Sequence, residues 1–166
     1  QRVGNAITFT RQMGSWLVAE SFTLPENGYD LKIDMKFTNT TTGALELTPG
    51  LWMSESVVLP QSSGPSFLPS SGVKPHLIIA SLAGSAKNAD VKSHCSDPAK
   101  SQALSAMSEK VEYAGLDKHY FLTVVRPKFE KVDFQSGVEG GNVATGCNFF
   151  VYLTQRFGSV AAGESA

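Results

Sequence analysis

The sequence predicts a mainly β protein, a sandwich of antiparallel sheets with one short helix. Three observations point there. The composition is charge-poor and hydroxyl-rich: 19 Ser and 11 Thr stand against 29 charged residues, with 15 Gly and 8 Pro to punctuate turns. Leu31, Ile33, Met35 and Phe37 alternate with Lys32, Asp34, Lys36 and Thr38, the period of a strand with one buried face. About nine strand-like segments follow one another across short turns, which favours sheets packed face to face over a parallel α/β arrangement.

The elements read in order as follows. Residues 6–12 form a first strand. Trp16, Val18, Phe22 and Leu24 share one parity of a second, and residues 25–28 turn into the alternating segment at 29–38. The Thr run at 39–43 is a turn, and strand character resumes at 45–53 with a bend at Pro49-Gly50. Residues 60–75, of which 11 are Pro, Gly or Ser, make a long surface loop. Residues 76–82 are a short apolar run that suits a buried strand. Asp97-Pro98 carries a capping acid followed by Pro, so residues 99–107, with Ala103, Leu104 and Met107 as a thin apolar stripe, are expected to be the helix. Four further strands are expected at 111–113, 118–126, 131–138 and 142–153, and a helical turn from Gln155. In the run from Asp117 to Pro127 both parities are apolar, the pattern of a central strand covered on both faces.

With 166 residues the chain is expected to be a single domain over 1–166 with a core of useful size. The net charge is −1 and charged residues are 17%, so there is no basic excess to hold nucleic acid. The first residues run into a strand pattern with no basic-then-apolar leader, and no stretch approaches the ~20 apolar residues of a spanning helix. The chain reads as a piece of a longer protein.

Templates for chemistry fail one after another. There is no phosphate-binding loop and no nucleophile elbow. Gly137, Gly140 and Gly141 read as a hairpin, not a nucleotide fingerprint. His76, His94 and His119 form no zinc-helix pair. Glu46, Glu55, Glu109, Glu112, Asp117, Glu130, Asp133 and Glu139 are scattered in the manner of solvated surface carboxylates. Trp16, Trp52, Tyr113, Tyr120, Phe149, Phe150 and Tyr152 could build a sugar-stacking platform, but large aromatics at period two are the usual content of a core. Asn39-Thr40-Thr41 fits a glycosylation pattern inside a turn. Cys95 and Cys147 are open to two readings, a disulfide in an oxidising compartment or two free thiols. The expectation is a non-enzymatic protein with no catalytic residue, no metal and no cofactor.

One order of segments is distinctive. A strand at Ile7-Thr-Phe-Thr10 precedes the run from Tyr29 to Leu47, and Val111 to Pro127 follows later, with Asp117, Lys118, Tyr120 and Phe121 as its aromatic-anchored centre. This order resembles the large periplasmic domain of the YidC-type bacterial membrane-protein insertases. His119 is inserted between Lys118 and Tyr120, Tyr113 stands where the family often has Trp, and the segment ending at Arg156 keeps only a basic residue of the family's motif. The resemblance implies a twisted supersandwich like that of mutarotase-like proteins. It implies a location on the periplasmic side of the bacterial inner membrane, with membrane helices outside this chain. It implies a non-catalytic interaction module that meets the Sec translocon and its accessory subunits while inner-membrane proteins insert and fold. The competing expectation is a carbohydrate-binding or mutarotase-like sandwich, with a sugar or peptide in its cleft and His119 with Glu112 or Glu139 as the nominal acid and base.

Overall fold

A computed structural model describes residues 2–57, 77–90, 102–118, 121–139 and 147–166. These residues form fourteen strands and, among them, no helix. They group into two compact units, one of residues 1–48 with 156–166 and one of residues 49–155.

The first unit is built on β1 (Arg2–Val3), β2 (Ala6–Met13), β3 (Trp16–Thr23) and β4 (Lys32–Asn39), in the sheet order β1-β2-β3-β4. Two-residue loops join the first three strands. Gly4 and Gly14 take positive φ at the first loop position, with Asn5 and Ser15 second, the glycine-first arrangement of a II′ hairpin. The registers Ile7↔Phe22, Phe9↔Glu20, Val18↔Phe37 and Phe22↔Ile33 place most of the large apolar residues of β2, β3 and β4 on one face, with Leu17 on the other. A small second sheet pairs β5 (Leu45–Leu47) with β14 (Gly158–Val160). The helical turn expected after Gln155 is therefore a strand. Val18, Asn39, Leu47 and Val160 are the buried residues among those described in this unit.

The second unit is a two-sheet sandwich. One sheet runs β11-β10-β7-β8, from β7 (Leu77–Leu82), β8 (Ser85–Asp90), β10 (Val111–Lys118) and β11 (Phe121–Val125). The other runs β6-β13-β12-β9, from β6 (Gly50–Val57), β9 (Gln102–Glu109), β12 (Val132–Glu139) and β13 (Cys147–Thr154). Every pairing is antiparallel. Ile78, Ala80, Ala114 and Leu116 on the first sheet meet Phe134, Phe149, Val151 and Leu153 on the second in one dry core. Burying such side chains contributes ~1.5–3 kcal/mol each, which is what holds the sheets face to face.

Four further expectations are corrected. The helix expected at 99–107 is not there: Gln102–Glu109 is strand β9, paired to β12, and residues 97–101 lie outside the described residues. Its Leu104 and Ala106 pack on the core while Met107 is exposed, so period two, imposed by pairing, overrides local helix propensity. The run from Asp117 to Pro127 is not one central strand. Asp117 and Lys118 close β10, and among the described strands β11 stands at the edge of its sheet, with Leu122 62% exposed. The alternating segment keeps its parity, with Lys32 and Lys36 exposed, but its apolar side is not core throughout. Phe37 is half-buried, whereas Leu31, Ile33 and Met35 are exposed. The segment at 45–53 is also divided, its first part in the small sheet of the first unit and its second in the sandwich.

Candidate functional site

The residues singled out by sequence are dispersed. Cys147 opens β13, is buried and is disulfide-bonded, while Cys95 lies outside the described residues. Asp117 is half-buried on β10, and Lys118 and Phe121 stand opposite each other in the β10–β11 ladder. Tyr120, His119, His76 and His94 lie outside the described residues. Glu112 is engaged structurally, its Oε2 accepting a hydrogen bond from Ser81 Oγ at 3.0 Å. Glu139 is on the other sheet, at the end of β12. Among the described residues no group of three or more His, Cys, Asp or Glu side chains is placed to hold a metal ion.

Asn39 is a structural hub. It is fully buried, and its Nδ2 donates to the carbonyls of Gly43 (2.7 Å) and Val160 (2.9 Å). Its Oδ1 accepts from Thr41 N (2.9 Å) and Thr41 Oγ1 (2.8 Å). The main chain of the same residue bonds Glu164 and Gly163. Every polar atom of the side chain is used to pin the turn at 39–43 against the C-terminal segment, so the amide is not free for a sugar in the folded unit.

Two surfaces remain. The first is the apolar side of the β2-β3-β4 sheet. Ile7, Phe9, Ile33 and Met35 are all exposed there, with Phe9 57% exposed and Met35 39%, and Phe9 meets Phe22 edge to face at 6.0 Å. One ion pair crosses this side, Arg11 to Glu20 at 2.9 Å. The opposite side carries Thr8, Thr10, Ser21, Lys32, Asp34 and Lys36, with Leu17 as its one large exposed apolar residue among those described. Sequence periodicity identifies the apolar stripe but gives no signal about what covers it.

The second surface is the outer side of the β6-β13-β12-β9 sheet. Trp52 stacks on Phe150 with centroids 4.5 Å apart and rings 12° from parallel, and it meets Tyr152 at 5.6 Å. The Tyr152 ring lies against Gly50, where a Cβ would collide with it. Of the seven aromatics considered from sequence, the sheet brings these three together. Phe149, one residue away, points into the core.

These features define a class: a mainly β protein of antiparallel sheets, with two exposed aromatic or apolar faces among the described residues. No family model matches the sequence, and no curated protein matches it.

Proposed function

We propose that the chain is the non-catalytic periplasmic module of a YidC-type insertase and works as an interaction surface for the Sec translocon during membrane-protein insertion. The observation that carries the interaction role is the apolar side of the β2-β3-β4 sheet. A face with Ile7, Phe9, Ile33 and Met35 all exposed is costly to leave in water, at roughly 25 cal/mol per Å² of apolar surface, and is the kind of patch that marks a protein–protein contact. The family reading rests on the order of segments in the sequence, which the structure divides between the first unit and the sandwich. The two long runs behind the resemblance fall on β4 with β5 and on β10 with β11.

The partner is an accessory subunit of the translocon with an apolar surface on the periplasmic side. The test is co-purification from detergent-solubilised membranes, using the full-length protein. Wild type is expected to retain translocon subunits, and the double variant Phe9→Glu, Met35→Glu is expected to lose them while the sandwich melts unchanged. Equal retention by both forms contradicts the assignment of this face. Flanking sequence without membrane-spanning helices contradicts the insertase reading itself.

A further inference from the structure

We propose that the outer face of the β6-β13-β12-β9 sheet is a binding site for a neutral saccharide, held on Trp52 and Tyr152 and oriented by Gln135, Ser105 and Asp133. This inference concerns the second unit alone and does not depend on the translocon contact proposed for the first.

The arrangement begins with register. Trp52, Tyr152 and Gln135 stand opposite one another on β6, β13 and β12, and Gln135 in turn faces Ser105 on β9. A single row across four strands therefore carries an indole, a phenol, a primary amide and a hydroxyl. Phe150 lies two residues from Tyr152, on the same side of β13, and stacks against the indole. Phe150 is 8% exposed and Trp52 47%, so the inner ring is spent on packing and the outer ring is presented. The phenol ring is seated on Gly50, whose missing side chain makes room for it. Beside Tyr152 a shallow cavity of about 290 Å³ is lined by Ser105, Met107, Asp133, Gln135 and Thr154 among others.

The lining chooses the ligand class. A pyranose ring has a flat C–H face and a rim of hydroxyls. The first packs on an aromatic ring, and the second needs amide, hydroxyl and carboxylate partners around it. Both kinds of group are present in the same row. The charged residues that β6, β12 and β13 direct to this side are Asp133 and Glu139, both acidic. They repel phosphates, and with them nucleic acid and anionic lipid headgroups. Asp133 Oδ1 accepts hydrogen bonds from Ser108 N at 2.7 Å and Ser108 Oγ at 3.1 Å, which tie the carboxylate to β9. An extended peptide is a poorer fit. The backbones of β12 and β13 are paired on both sides, so a peptide laid over them has no ladder to join.

The test titrates the chain with maltohexaose, cellohexaose, laminarihexaose and chitohexaose, read by calorimetry and by tryptophan fluorescence. Saturable binding in the high-micromolar to millimolar range is expected for at least one of them. Trp52→Ala is expected to weaken it about tenfold or more, as for a central aromatic anchor. Gln135→Ala, at an exposed side chain, is expected to weaken it without moving the melting temperature, and so serves if Trp52→Ala does not fold. Trp16→Phe, on the other unit, is expected to leave it unchanged. Absence of binding to all four at millimolar concentration overturns the proposal. So does binding that survives both Trp52→Ala and Gln135→Ala, or binding of extended peptides with no saccharide bound.

Discussion

At the scale of single residues, buried polar groups with full sets of partners organise the structure. Asn39 is the clearest. Replacing it with Ala removes four side-chain hydrogen bonds and strands the carbonyl of Val160 in a buried position. An unsatisfied buried group costs ~1–3 kcal/mol, so Asn39→Ala should destabilise the first unit by about 3 kcal/mol. Chemical denaturation followed by a probe in that unit reads this directly, and a loss below about 1 kcal/mol would mean that water replaces the amide. Ser136 plays a similar part in the sandwich. It is fully buried, its Oγ accepting from Leu104 N at 3.1 Å and donating to Leu104 O at 3.3 Å, beside a shift in the β9–β12 register. By contrast, the exposed Arg11–Glu20 pair is worth only ~0–1 kcal/mol.

At the scale of elements, backbone conformation decides what each turn and ladder accepts. The loop between β7 and β8 is Ala83-Gly84, with φ of 48° and 82°. Two positive φ values mark a I′ turn, and Ala is a poor residue for the first of them. Ala83→Asn, which creates the preferred Asn-Gly pair, should stabilise the second unit by about 1 kcal/mol. A thermal melt showing no gain would place the cost elsewhere in the hairpin. Gly115 gives the opposite case. A Cβ there would meet the carbonyl oxygen of Thr123 and the Cα of Val124, both backbone atoms of β11. Gly115→Ala should therefore push β11 off β10 and cost ~3 kcal/mol or more, visible as rapid amide exchange across that edge.

The same scale shows what was legible in the sequence. Period two in residues 29–38 gives the strand, the parity and the solvent side of Lys32 and Lys36 correctly, because alternation is a property of the strand alone. Whether the apolar side is then covered depends on other elements, and Ile33 and Met35 are exposed where alternation suggests core. Residues 102–109 show the converse. Their composition suits a helix, and long-range pairing to β12 makes them a strand. Two-sided apolarity likewise suggests a central strand at 118–126, yet β11 is an edge among the described strands, with Leu122 in solvent. The row Trp52–Tyr152–Gln135–Ser105 joins residues from four strands, with neighbours 17 to 100 positions apart in sequence, so only the folded register reveals it.

At the scale of the whole molecule, cross-linking and surface chemistry matter most. The sequence holds two cysteines, and Cys147 is disulfide-bonded. The expected bond is to Cys95, and closing a loop of about 50 residues stabilises by ~4 kcal/mol in the chain-entropy model. Non-reducing peptide mapping should recover the Cys95–Cys147 peptide, and reductant should lower the melting temperature of the second unit. Two freely alkylated thiols in native protein would contradict it. The central claim is that the apolar side of the β2-β3-β4 sheet is a translocon contact. Its most direct measurement is site-specific photo-cross-linking in cells, with a photoreactive residue placed at Phe9 or Met35 in the full-length protein and at Lys36 on the opposite side as reference. The account predicts adducts with a translocon accessory subunit from Phe9 and Met35 and none from Lys36. Adducts from Lys36 alone, or none from either apolar position, would contradict it.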